Sequence, residues 1–464
     1  MRFEAPEKLS GFFWMIDKPG KRIPGILSIS DGGDVELEII GNFDENVSKA
    51  FTSQDFNLPR IHGHVEKRSE VTLDNCFYTN KNFSFGGISK SRIHVNLLIS
   101  GVWFEKDEEV AFESISFSVD GLDQWVATAG FQVSPNFEDK SVSISYKAPQ
   151  EENFPINDDM MLSLAFAWSI PGAPLFTEAK VTQSALLKIE TKVKQPLRDL
   201  ISAAYKITNL LSFCIDKTVS ISEISAQSKE VVRKYPDGKE IPIAMKVVYR
   251  SLPFDEEVPK IESHDMLLRF PQIRKRFSAF ICAWFQAYEL VEPSINLYFS
   301  SRTGAHRFLN GRFLAMAQCL ETFHRRLSNE TMMDPDKYDS LVETILKSCP
   351  ETNKDWLSGR LSHGNEVSLR KRLKKIIEPF ETEFGGKKAV SRLVDLIVNT
   401  RNYFTHFSPD LEVKAADGNE LWTLCMKMEA VFQMHLLKQL GLSDDEVSEV
   451  LKANRNLQYK IKEA

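Results

Sequence analysis

The hydrophobic pattern of this chain changes period once, and that change limits what it can fold into. Over the first ~190 residues apolar and polar positions come in short, strand-like runs. Ile23–Ile29 and Val35–Ile40 are rich in β-branched residues, and Ser30-Asp31-Gly32-Gly33-Asp34 between them is a hairpin signal. Similar runs follow at His94–Phe104, Ala111–Val119, Val142–Tyr146 and Leu186–Thr191. At Pro196 the spacing becomes helical: Leu197, Leu200, Ile201, Ala204, Ile207, Leu210 and Leu211 share one face up to Ile215. Two further strand-like runs, Val219–Ile224 and Ile241–Val248, precede a polar stretch at Glu256–His264. Beyond Leu267 the spacing predicts helices over 272–290, 308–327, 337–348, 366–382, 387–405, 419–440 and 443–456. Gly441 marks a helix end and Ser443-Asp444-Asp445-Glu446 a capping box. The expected fold class is α+β. A β-rich, sandwich-like domain spans 1–265 with one helix near 196–215, and an all-α domain spans 266–464.

Composition removes several function classes. The chain has 464 residues and 58 Lys plus Arg against 64 Asp plus Glu, a net charge of −6, so it is not a basic glove for nucleic acid as a whole. Met1–Ser10 lacks an apolar signal core, and apolar stretches such as 279–285 are too short to span a bilayer. The six cysteines, at 76, 214, 282, 319, 349 and 425, form no Cys-x-x-Cys pair and read as buried reduced thiols. A cytoplasmic protein with intracellular partners and no membrane association is expected.

Phosphate-binding, dinucleotide-binding and zinc-protease motifs are missing, as is a nucleophile elbow. His62-Gly63-His64 could set two imidazoles on one face of a strand, but a third ligand would have to come from afar. Glu378, Glu381 and Glu383 beside a basic run read as a solvated helix end. No metal and no cofactor are expected. Ser301-Arg302-Thr303-Gly304-Ala305-His306-Arg307 has Arg and His at an unhelpful spacing and reads as a loop leading into a helix.

The informative segment is Val398-Asn399-Thr400-Arg401-Asn402-Tyr403-Phe404-Thr405-His406. On a helix starting near Lys388, Val390, Leu393, Val394, Ile397 and Val398 form an apolar arc with Arg401 near its centre. A buried guanidinium needs an anion. Two readings stand: a structural salt bridge to a neighbouring helix, or a bound phosphate. Pro409 disfavours helix at Ser408, which puts His406 at a frayed end. At ~100° per residue, Arg401 and His406 point ~140° apart on a regular helix. Either the helix distorts, or the two groups converge through a second copy. A proton-moving imidazole beside a fixed cation suits phosphodiester chemistry.

Arg401-Asn402-x-x-x-His406 resembles the signature of HEPN domains. The segments Phe313–Arg325, Asn365–Leu373 and Asn399–His406 together resemble the Apea-like HEPN family. Gly11-Phe12-Phe13-Trp14, Pro24-Gly25-Ile26-Leu27 and Leu37-Glu38-Ile39-Ile40-Gly41 resemble the N-terminal domain of ApeA-like anti-phage proteins. The resemblance implies a HEPN helical bundle acting as a toxin-type endoribonuclease in abortive phage defence in a prokaryotic cytoplasm. It implies metal-independent cleavage by the 2′-hydroxyl and a homodimer through the HEPN domain with a composite cleft. It also implies an RNA target, tRNA among the options, and a phage-derived trigger received by the N-terminal domain. Carried onto this chain, Arg401 stabilises the phosphate, His406 acts as general acid or base, and Asn402 orients His406 or a phosphate oxygen. Glu321 and His324 are auxiliary groups or a structural polar pair meeting Arg401. Tyr403 stacks on a base or packs as a core or interface aromatic. Arg370, Arg372, Lys374 and Lys375 track phosphates or form a solvated face.

Two other readings remain. The helical domain could bind nucleotides or proteins without cleaving them. Alternatively, the β domain could be a recognition module for a phage component or a glycan, with Trp14, Trp103 and Trp125 as platform aromatics.

Overall fold

In a computed structural model, all residues are described except 44–55, 83–86, 174–175, 235–237, 239, 305, 307 and 463–464. Ala305 and Arg307, from the discarded Arg/His stretch, therefore lie outside the described residues. The chain divides into two compact units, Met1–Cys282 and Ala283–Ala464. No helix of the described residues is long and apolar enough to cross a membrane.

The N-terminal unit is built on one antiparallel sheet. Its strands are β1 (Glu7–Met15), β2 (Ile23–Ile29), β3 (Val35–Ile40), β4 (Asn57–Val65), β5 (Ser69–Asn82), β6 (Lys90–Ser100) and β7 (Ala111–Val119). β8 (Phe131–Asn136) and β9 (Ser141–Tyr146) pair separately. β10 (Glu152–Pro155), β11 (Met160–Ser169), β12 (Thr182–Pro196), β13 (Ile221–Gln227) and β16 (Met245–Tyr249) complete the large sheet, with β14 (Val232–Lys234) and β15 (Glu240–Pro242) as a small ribbon. The strand order is β10-β11-β12-β7-β13-β16-β6-β3-β2-β1-β4-β5. A further pairing joins β5 back to β6, so six of these strands close into a barrel, and the rest continue from it as an open sheet. The region is β-rich as expected, but closure replaces the facing sheets of a sandwich and removes the edges of those six strands. Leu27, Leu37, Ile61, Leu73 and Ile93 are fully buried on the inner face. Gly63 lets β4 pass the Phe13 ring, because a Cβ there would lie 2.7 Å from it.

Helix α1 (Leu122–Val126) buries Trp125, whose indole N–H donates to the Leu268 carbonyl at 2.9 Å. Phe154, Phe270 and Phe277 surround that ring system. Helix α2 (Leu197–Ile215) lies where the period change predicts it. The aromatic cluster explains why the division falls at Cys282 and not at the polar stretch 256–264. Phe270 and Phe277 belong to the N-terminal core, so the first helical turns beyond 265 go with the sheet. Trp14 and Trp125 are core residues. Trp103 is partly exposed but stacked on His62, with its N–H donated to the Gly63 carbonyl at 3.0 Å. His62 is buried and its Nε2 meets the Phe104 carbonyl at 2.8 Å, while His64 is exposed.

Helix α3 (Phe277–Ser300) runs across the division and kinks at Val291, two residues before Pro293. The C-terminal unit continues with α4 (Leu309–Leu327), α5 (Pro335–Ser348), α6 (Lys354–Leu361), α7 (Leu369–Ile377), α8 (Lys387–His406), α9 (Gly418–Gln439), α10 (Asp444–Ala453) and α11 (Arg455–Lys462). Phe313, Met316, Leu320 and Phe323 of α4 pack with Leu373 and Ile376 of α7, Val394 and Ile397 of α8, and Phe432 of α9 in the buried core. Ser443 and Glu446 form the expected capping box. Helix α6 has too few apolar positions to show a period in the sequence.

Glu429 of α9 is fully buried amid that core. Its carboxylate takes Arg302, Arg312 at 2.8 Å and Lys460 at 2.7 Å. Burial pushes its pKa up, but Arg302, Lys460 and Arg312 together hold it down to about 2. Glu429→Ala strands these cations, and equilibrium denaturation is expected to show a loss of about 3–5 kcal/mol. The carboxylate contribution is present above the unfolded Glu value near ~4.3 and is lost as pH falls through the folded value. An acid-unfolding midpoint unmoved by Glu429→Gln would contradict this assignment.

Candidate active site

Helix α8 carries the Arg401–His406 segment and is regular to its last residue. Gly386, at φ 90°, opens it, and Val390, Val394, Ile397 and Val398 bury its apolar arc. Phe407 closes it in the left-handed region at φ 49°, donating its N–H to the Tyr403 carbonyl. Ser408 is extended, as Pro409 demands. The expected fraying at His406 is not seen. With the helix intact, Arg401 and His406 project ~140° apart, so one chain does not bring them to one phosphate.

Arg401 is half-buried. Among the described residues no carboxylate pairs with it, and its Nη1 donates to Asn402 Oδ1 at 3.3 Å. The structural salt bridge allowed by the sequence is thus not formed. Asn402 points its oxygen at Arg401 and not at His406. His406 is exposed and, among the described residues, its ring has no hydrogen-bond partner. Buried Thr400 accepts from the Ala416 N–H at 2.9 Å and ties the loop after α8 back onto it.

Tyr403 packs tilted against Phe404 and edge-on against Phe407. Burial, and then the charge and hydrogen bond of Glu412, raise its phenol pKa. Phe404 in turn meets Phe313 of α4 at 5.9 Å between ring centres. This fixes the helix end against α4. It leaves Tyr403 committed to neighbours that a base would have to displace.

Glu321 and His324 lie two and three turns beyond Phe313 on α4, about 12 and 16 Å along its axis. Neither meets Arg401. Glu321 pairs with Arg325 at 3.0 Å, Arg325 with Glu366 at 2.6 Å, and Glu366 with His363 at 3.0 Å. His324 is buried, and its Nδ1 faces Arg372 Nη1 at 3.1 Å. Arg372 Nε donates to the Val367 carbonyl at 2.8 Å. Arg372 therefore departs from the surface reading: at 4 % exposure it is a buried support for His324. The other members of the basic run stay outside, each beside a carboxylate. Arg370 pairs with Asp395, Lys374 approaches Glu378 at 4.0 Å, and Lys375 pairs with Glu330. Helix periodicity explains the split, since Arg372 follows the same face as Leu373, Ile376 and Ile377.

Sequence reading missed Glu412 and the Glu429 cluster. Glu412 had no signal, because it meets Tyr403 only through the turn after α8. Glu429 had one: a lone acid inside the otherwise apolar run of α9 demands a cation.

The Arg372 contact requires a neutral His324 ring, and burial followed by the Arg372 charge lowers its pKa. The unfolded ring takes up a proton first, so stability is lost as pH falls below ~6.5. In pH-dependent denaturation, His324→Gln is expected to flatten part of that slope. An unchanged slope would remove the neutral-ring assignment.

Two family models match the chain. ApeA N-terminal domain 1 matches residues 8–284, more than half of it, and Apea-like HEPN matches residues 314–446, which hold most of α4 and all of α5 to α9. No curated protein and no solved structure matches. The chain belongs to the family that joins ApeA N-terminal domain 1 to an Apea-like HEPN domain.

Proposed function

We propose that this protein is a HEPN-type endoribonuclease acting in anti-phage defence. The observation that carries the reading is Arg401: a half-buried guanidinium with no carboxylate partner among the described residues, five residues before an exposed imidazole, inside the matched HEPN segment. A permanent cation held half out of water without a counter-ion suits an anion that arrives with the substrate.

In this reading two protomers associate through their helical units, so that the outward groups of two α8 ends share one RNA phosphate. The 2′-oxygen bonds to phosphorus as the bond to the 5′-oxygen breaks. One imidazole at position 406 accepts the 2′-hydroxyl proton, and a protonated one supplies the 5′-oxygen. Arg401 balances charge on the phosphorane oxygens, and Asn402 holds its guanidinium in place. The products are a cyclic phosphate and a 5′-hydroxyl, formed without a metal. Arg370, Lys374 and Lys375 exchange their surface carboxylates for RNA phosphates, a weak and salt-sensitive contribution. Glu321 and His324 act at a distance, by holding α4 and α7 together. The N-terminal unit receives a phage-derived signal, and the protein works in the prokaryotic cytoplasm on RNA, tRNA being one target class.

Purified protein with bacterial RNA in EDTA is expected to generate cyclic-phosphate ends. Arg401→Ala and His406→Ala are each expected to lower cleavage by at least ~100-fold with unchanged melting temperature. Full cleavage by both variants would overturn the reading. Tight nucleotide binding with no cleavage would instead favour a non-catalytic HEPN module.

A further inference from the structure

The two-stranded sheet β8–β9 is amphipathic in a way its surroundings do not use. Its register sets Phe131 opposite Tyr146, Val133 opposite Ile144 and Pro135 opposite Val142. Because side chains alternate along a strand, these six lie on one face, and Gln132, Ser134, Asn136, Ser141, Ser143 and Ser145 lie on the other. None of the twelve is charged. Val133, Val142 and Ile144 are 61 %, 60 % and 58 % exposed.

The hairpin is held firmly at its base. Gly130 N–H donates to Gln183 Oε1 at 2.9 Å, Gln183 Nε2 donates to the Thr128 carbonyl at 2.8 Å, and Lys147 N–H donates to the Gly130 carbonyl at 3.0 Å. Phe131 packs on Tyr146, and Tyr146 on the half-exposed Trp168, so the apolar face runs on to the rim of β11. An isolated two-stranded hairpin is marginal in water, and exposed strands are ordinarily guarded by charged side chains. This one has charges only in its turn, at Glu138, Asp139 and Lys140.

We propose that the β8–β9 hairpin is a self-association arm whose apolar face packs against the same face of a second copy. With Trp168 the face offers on the order of 500 Å² per copy, so a twofold pair buries about 1,000 Å², the threshold for a specific interface. A twofold axis sets this uncharged face against itself, with no charge left unpaired, and turns both serine faces to water. The arm belongs to the N-terminal unit and does not depend on the nuclease reading or on how the helical units associate.

The test is the molar mass of the full chain by light scattering across a concentration series. Val133→Lys with Ile144→Lys should shift the association midpoint of the wild type to an at least about tenfold higher concentration, whatever contact the helical units make. Ser143→Lys on the opposite face should leave the mass unchanged. All three positions are exposed, so equal melting temperatures are expected; if the double variant is destabilised, Val142→Ser serves instead and should weaken association in the same direction. Superimposable curves of mass against concentration for wild type and apolar-face variant, including a wild type that is monomeric throughout, would overturn the proposal. So would an equal loss in Ser143→Lys.

Discussion

The helical unit depends on the environment of one carboxylate. Glu429 sits inside an apolar helix, where an isolated charge is prohibitive, and Arg302, Arg312 and Lys460 bring three cations from a loop, α4 and α11 to it. The apolar core tells these segments to associate but is indifferent to their register. The ionic cluster is not, because each partner must arrive within a few ångströms. Arg312 also lies over the Trp422 ring and precedes Phe313, the residue that meets Phe404. The alignment of α4 and α9 is thereby passed to the end of α8.

That chain of contacts gives the Arg401 end its character. Thr400 is locked to Ala416 and Tyr403 to its aromatic neighbours and Glu412, so the backbone is fixed where the chemistry is assigned. Among the described residues no carboxylate pairs with Arg401, which meets only Asn402, and the His406 ring has no hydrogen-bond partner. The cluster around Glu321, His324 and Arg372 is the opposite case: each group there has a partner, and the whole joins α4 to α7.

In the N-terminal unit the governing event is closure. Pairing β5 with β6 gives six strands no edge, which leaves the unprotected surfaces at the open continuation of the sheet and at the β8–β9 hairpin.

The sequence by itself determined the order of β-rich and helical regions, most helix bounds, and the phase that puts Arg401 and His406 on different sides of α8. These are local matters of period, proline and capping, and they need no knowledge of neighbours. β2, β3 and β7 were legible for the same reason. β5, with Asp74, Asn75 and Asn80 breaking its alternation, was not, and with it went the closure of the barrel. Burial of Arg372, the fate of Glu412 and, among the described residues, the lack of a carboxylate at Arg401 were decided only by tertiary structure. Each depends on which distant side chain arrives within hydrogen-bonding reach, and helical phase sets a direction without naming what lies along it.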